Sequence, residues 1–208
     1  MSTMDRLVRI ESLACPFLLD DVDTDVITPL PRILEGMDSM VEHAFEAIRF
    51  QSDGTLDASC ALNDARWKGA QILLAGRNFG CGSSRETAVW AVKGMGFRVV
   101  IAPSFGDIFR SNCFKNGVLP IVLPPVDVAA LGQEARSAQG LVVVDLERCR
   151  VTGPSGGEVA FEISPLRREA MLEGLDDLAL TLRRRVAIEA FETAYRRRRP
   201  WVDLQRPD

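Results

Sequence analysis

The chain has 208 residues, 47% hydrophobic and 26% charged, with a formal net charge of −4 at pH 7. That length allows an ample core, and the acidic balance argues against general nucleic-acid binding, which needs a basic footprint. No apolar run approaches the roughly 20 residues of a membrane span, and the charged start (Asp5, Arg6, Arg9, Glu11) is not that of a signal peptide. A cytoplasmic protein without membrane contact is expected, folded as one domain over residues 1–208.

In chain order, apolar alternation at Val8 and Ile10, with more beyond Leu13, predicts a strand from Leu7 to Leu19. An acidic turn, Asp20 to Asp25, follows, then Val26-Ile27 before Pro29 and Pro31. Met40, Ala44, Ala47 and Ile48 have helical spacing within Ser39 to Phe50, with Ser39 placed to cap that helix. Gln51 to Trp67 is polar and irregular and reads as a surface loop holding a short strand. The middle third alternates: strand Ala70–Ala75, helix Ser84–Met95, strand Phe97–Ala102, helix Phe105–Phe114, strand Val118–Leu123, helix Val126–Ser137. This order implies parallel strands joined by right-handed crossovers. Leu141–Leu146 and Val159–Ile163 then flank a turn-rich hairpin connection at Gly153 to Gly157. Pro165 opens a helix to about Leu172 that Gly174 ends, and a last helix runs from about Val186 to Arg199. The expected fold class is α/β, with parallel and antiparallel sheet regions.

Cys15, Cys60, Cys81, Cys113 and Cys149 are scattered, odd in number and without a Cys-x-x-Cys pair. That spacing argues against a secreted disulfide framework and a self-contained zinc or iron–sulfur site. Cys15, Cys113 and Cys149 read as small buried hydrophobes, and Cys81 alone has a suggestive position. The lone His43 fits an exposed or capping role. The runs Arg183-Arg184-Arg185 and Arg196–Arg199 read as solvated helix faces or tails or, alternatively, as a partner-binding or anion-attracting edge.

Cys81 lies in Gly76-Arg77-Asn78-Phe79-Gly80-Cys81-Gly82-Ser83-Ser84-Arg85-Glu86. A strand that feeds such a loop into a helix offers unpaired backbone N–H groups and the positive end of a dipole. Ser83, Ser84 and Arg85 add donors, and arginine grips a carboxylate through two parallel bonds. The loop therefore suits a small anion. It lacks the lysine of a P-loop, the acidic residue of a dinucleotide fingerprint and the Gly-x-Ser-x-Gly of a nucleophile elbow. The plain alternative is a helix start in which Ser83 caps and Glu86 completes a capping box.

Two further segments extend this signal: Asp23-Thr24-Asp25-Val26-Ile27-Thr28-Pro29, and Ile101 to Phe109 continuing through Asn112-Cys113-Phe114-Lys115-Asn116-Gly117-Val118-Leu119-Pro120. With the glycine loop and Gly174-Leu175-Asp176-Asp177, they resemble the small subunit of bacterial 3-isopropylmalate dehydratase, the counterpart of the mobile C-terminal domain of aconitase. The resemblance spans nearly the whole chain. It implies a three-layer β/β/α swivelling domain with mixed parallel and antiparallel strands, and a partner: a large subunit whose own cysteines carry a 4Fe-4S cluster. No cofactor or metal is expected on this chain.

The resemblance also implies a reaction, the interconversion of 2- and 3-isopropylmalate in leucine biosynthesis through dehydration and rehydration. A cluster iron supplied by the partner would act as Lewis acid on the departing hydroxyl. This chain would supply the base and charge stabilisation. By position in the motif Ser83 matches the catalytic base. Ser84 and Arg85, with Gly82, match contacts to the carboxylates of a small dicarboxylate substrate, and Asp23 and Thr24 belong to a motif near the site or form a structural turn. Two departures stand out. Thr87 replaces the usual His after Ser-Ser-Arg-Glu, and Arg32-Ile33-Leu34 replaces the usual Tyr-Leu or Phe-Leu. Two alternatives therefore stay open: a paralogous hydro-lyase for another alkyl- or methyl-substituted malate, and a non-catalytic carboxylate-binding regulatory subunit.

Overall fold

The computed structural model describes residues 4–82, 84–138, 140–199 and 201. The stretch Leu7–Leu19 is two strands rather than one: β1 (Arg9–Ser12) and β2 (Ala14–Phe17). β1 alternates exposed and buried residues, as a strand with one wet face does, whereas all four residues of β2 are buried. The two belong to different sheets, and the chain crosses between them at Leu13. Ser12 stitches the crossing by accepting the backbone N–H of Gln71 at 2.9 Å.

Four short helices follow: α1 (Thr24–Ile27), α2 (Leu30–Glu35), α3 (Met37–Glu42) and α4 (Glu46–Arg49). The helix expected over Ser39–Phe50 is thus interrupted. Phe45 takes φ 57°, a left-handed conformation that is costly for a bulky residue. Complete burial of its ring compensates, edge-on to Phe17 at 5.3 Å and stacked near Phe79 at 6.4 Å. Ser39 lies inside α3 and donates to Glu35 instead of capping. His43 closes α3, with Nδ1 3.0 Å from the Ser39 carbonyl oxygen, the capping role its isolation suggests. α2, which local sequence patterns do not signal, accommodates Pro31 in its first turn, where a missing N–H costs nothing. Between Gln51 and Trp67 the expected short strand is replaced by 3₁₀ turns at Ala61–Asn63 and Ala65–Trp67 and an isolated Phe50–Leu56 bridge.

The predicted alternation then follows: β3 (Ile72–Ala75), α5 (Thr87–Gly94), β4 (Val99–Ala102), α6 (Asp107–Lys115), β5 (Leu119–Val122) and α7 (Pro125–Ala138). Strands β2-β3-β4-β5 form one parallel sheet in that order. β2, β3 and β4 are buried throughout, as befits a parallel sheet covered on both faces, and α7 packs across them.

The second sheet is antiparallel, ordered β1-β6-β7-β8, with β6 (Val142–Asp145), β7 (Arg150–Thr152) and β8 (Glu158–Ala160). The hairpin is real but has a third strand: Gly153–Gly157 joins β7 to β8, and β6 pairs with β7. Three residues are too few for β7 to show a period. α8 (Pro165–Glu173) ends at Gly174 in the left-handed region, φ 70°, followed by α9 (Asp177–Leu182) and α10 (Arg185–Arg198). One hydrophobic cluster joins both sheets, giving a three-layer β/β/α fold. Cys15, Cys60 and Cys113 sit inside it and Cys149 at its margin. Burial pushes the Cys15 thiol up to about 12 and that of Cys113 well above its usual range, so both act as hydrophobes.

Candidate active site

The loops that leave β2, β3 and β4 at the carboxyl edge of the parallel sheet continue to pair beyond the strands. Asp23 bridges Cys81 in parallel fashion, and Phe79 bridges Phe105. The bonds that do this are short: Gly80 N–H to Val22 O at 2.8 Å, Thr24 N–H to Cys81 O at 2.9 Å, and Gly106 N–H to Phe79 O at 3.0 Å. The Asp-Thr-Asp turn, the glycine loop and the Pro-Ser-Phe-Gly turn therefore form one continuous edge, the position where open α/β sheets hold ligands.

Glycine is needed at particular points. Gly80 has φ 72°, and a Cβ there would lie 2.2 Å from Cγ of the buried Phe109. A Cβ on Gly106 would come 2.4 Å from the Gly80 carbonyl oxygen. Gly82, φ 91°, runs against Asp23, whose Cβ would be 3.2 Å from an added methyl. Close backbone approach keeps the loop low over the sheet edge.

The predicted site residues divide as follows. Gly82, Asp23 and Thr24 are brought together. Thr24 is buried, and the Asp23 carboxylate caps α1 by accepting from the N–H groups of Asp25 and Val26, both at 2.8 Å. Arg85 joins them through an ion pair with Asp25, across 60 residues of sequence. Ser84 is exposed on the same loop. Ser83 lies outside the described residues. α5 opens at Thr87 with Glu86 as N-cap residue, whose side chain makes no cap bond and instead accepts from Asn116 Nδ2 at 2.7 Å. The expected Ser83 cap lies outside the described residues, and Glu86, expected to complete the box, is itself the N-cap residue of α5. Asn116 also accepts from Trp90 Nε1 at 2.9 Å and so ties the first turns of α5 to the end of α6.

Sequence reasoning missed Asp25 as the partner of Arg85, although it stands two residues from Asp23 in the same motif. It missed Asn116 as well, since nothing local links it to Glu86. Of the two departures, Thr87 has a buried hydroxyl with no hydrogen-bond partner among the described residues. Arg32 serves as a clamp, donating to Glu46 and Glu35, and holds both carboxyls below their ordinary range, with Ser39 adding the larger share at Glu35. Beside the loop, burial and the charges of Asp23 and Asp21 push the Cys81 thiol up, which disfavours a thiolate nucleophile. Among the described residues no three His, Cys, Asp or Glu side chains converge to hold a metal. No helix among them is long and apolar enough to cross a membrane.

A mixed β/β/α fold with a glycine-serine-arginine loop at its parallel edge is of the aconitase type, and the family matches place the chain in that superfamily. Residues 35–126 match the aconitase C-terminal domain, and residues 177–205 match the C-terminal domain of the 3-isopropylmalate dehydratase small subunit. Curated relatives named 3-isopropylmalate dehydratase small subunit include one from Jannaschia sp., 46% identical over 96% of this chain and 100% of the relative. Another, from Paramagnetospirillum magneticum, is 44% identical with the same coverage. The crystal structure of a 3-isopropylmalate dehydratase from Methanocaldococcus jannaschii aligns with TM-score 0.63 and 28% identity, covering 89% of this chain and 99% of that one. The chain belongs to the 3-isopropylmalate dehydratase small-subunit family, a family of hydro-lyase subunits.

Proposed function

We propose that this chain is the small subunit of a 3-isopropylmalate dehydratase that interconverts 2- and 3-isopropylmalate in the cytoplasm. It acts as one swivelling domain over residues 1–208, together with a large subunit that holds a 4Fe-4S cluster. The supporting observation is the juxtaposition of Arg85, Gly82, Asp23 and Thr24 at the sheet edge, in a chain whose full-length relatives bear that subunit's name.

The chain's own residues divide the work. Arg85 binds a substrate carboxylate, exchanging its Asp25 partner for the incoming anion; its planar fork suits that geometry. Asp25 holds the guanidinium at the sheet edge until then. Ser84 donates to the same carboxylate. Gly82, against Asp23 and Thr24, forms the close wall that lets the substrate approach backbone N–H groups. Ser83 is the base that removes the proton from the carbon next to a carboxylate. Serine is a weak base, and the charge of Arg85, two residues on in sequence, and the helix that follows would favour its alkoxide. The bound cluster, on the partner, supplies Lewis acidity toward the departing hydroxyl.

The test is turnover by the chain reconstituted with a cluster-loaded large subunit, on a panel of substituted malates. Isopropylmalate is expected to be the fastest substrate. Faster hydration of citraconate or a dimethylated analogue would move the assignment to a paralogous hydro-lyase, and Thr87 and Arg32 are the residues that would then account for it.

A further inference from the structure

α10 is 14 residues long and carries no buried side chain. Ile188, Phe191 and Tyr195 nevertheless stand at i, i+3 and i+7, on one face. The Phe191 and Tyr195 rings stack with centroids 5.6 Å apart, and Phe191 is 65% exposed. Leu178 and Leu182 of α9 are exposed as well, and so is Val186, which stands on the opposite side of α10. A groove of about 450 Å³ between α8, α9 and α10 runs into it, walled by Leu166, Leu180 and Ile188. An exposed aromatic pair on one helix face with an adjoining groove is the kind of apolar surface that marks an interaction site.

We infer that α9 and α10 form the docking element for the large subunit, and that they meet a face with an apolar centre and an acidic rim. This rests on the two-subunit reading above. Two observations choose the occupant. The first is charge. α10 is flanked by Arg183-Arg184-Arg185 at one end and Arg196–Arg199 at the other. Arg183 pairs with Glu169 and Glu173, Arg185 with Glu189, and Arg196 with Glu192, while Arg184, Arg197 and Arg198 have no ion pair among the described residues. A second copy of this chain would oppose arginines to arginines whichever way the helices ran, and like charges set face to face disfavour association. A carboxylate-rimmed face has no such conflict.

The second observation is where the family matches fall. The aconitase C-terminal domain match covers the glycine loop and β3 to β5, whereas α9 and α10 fall within the match to the separate small-subunit family. A domain tethered within a longer chain meets its partner at high effective concentration. A separate subunit has no tether and must obtain its association from contact surface. α9 and α10 are the element that supplies it.

The experiment is calorimetric titration of cluster-loaded large subunit with wild-type chain and with the Ile188→Asp, Phe191→Asp double variant. Thermal melts of each isolated chain serve as the folding control. The double variant is expected to melt like wild type and to bind about 100-fold more weakly, or worse, as loss of buried aromatic anchors does. Arg197→Glu with Arg198→Glu should weaken binding less and flatten its salt dependence; this pair decides the matter if the first variant melts early. Undiminished binding by both variants overturns the inference and leaves the two-subunit reading standing. A wild-type chain that binds no large subunit overturns that reading itself. Self-association, or pelleting with phosphatidylserine vesicles, that the double variant loses while still binding the large subunit would assign the stripe elsewhere and also overturn the inference.

Discussion

At the carboxyl edge of the parallel sheet the backbone is pinned from three sides: Gly80 to Val22, Thr24 to Cys81, and Gly106 to Phe79. Along α10 the described residues are nearly all exposed, and its charged side chains pair mainly with one another. Both regions carry arginine, but in different ways. Arg85 pairs with Asp25 of another loop, 60 residues away in sequence, whereas Arg185 and Arg196 of α10 pair with glutamates one turn away on the same helix. Chemistry needs groups fixed to fractions of an ångström, whereas docking tolerates side chains that settle only on contact. On the proposed reading, the sheet edge serves the substrate and α10 serves the partner.

Substitutions should respect that division. The largest effect is expected at Gly80→Ala, which meets the Phe109 ring and forces φ 72° on a residue with a Cβ. It should cost about 2–5 kcal/mol of stability by denaturant unfolding of the isolated chain. Arg85→Lys keeps the charge and loses the fork. A weaker kcat/KM for the reconstituted pair is expected, by about tenfold or more, in line with the roughly 1.5–3 kcal/mol of a charge-assisted bond. Unchanged stability should accompany it; a large fall in Tm would mean that the Asp25 pair is structural.

Phe191→Ala marks the other side of the comparison. The stability of the isolated chain should stay within about 0.5 kcal/mol of wild type, as for substitutions that bury nothing. The smallest effect is at Glu46. Arg32 holds its carboxyl below the ordinary 4.5, so the pair's contribution is present above that value and lost as pH falls through the depressed one. Glu46→Gln should flatten the acid limb of the stability profile below about pH 4.5. An unaltered limb would make the Arg32 clamp energetically silent, as many exposed pairs are.

The sequence is legible where local rules and burial agree. Largely apolar runs that follow Gly69, Gly96 and Gly117 placed β3, β4 and β5 within two residues, and Gly174 ended α8 where expected. Reading fails where tertiary contacts override local preference. Nothing before Leu13 tells that the chain will change sheets there. The interruption at Phe45 depends on Phe17 and Phe79, far away in sequence. The site shows the same limit: the motifs named Gly82, Arg85, Asp23 and Thr24, but only the fold reveals that Asp25 holds Arg85 and that Asn116 holds Glu86.

The most direct measurement is steady-state kinetics of the reconstituted pair with Ser83→Ala, alongside the dissociation constant between the subunits for the same variant. A base acts only in proton transfer, so kcat should fall by about a hundredfold or more while KM and affinity for the large subunit stay near those of wild type. Near-normal kcat with intact association would contradict the account. Ser83 would then serve the start of α5 alone, and the base would lie elsewhere at the interface.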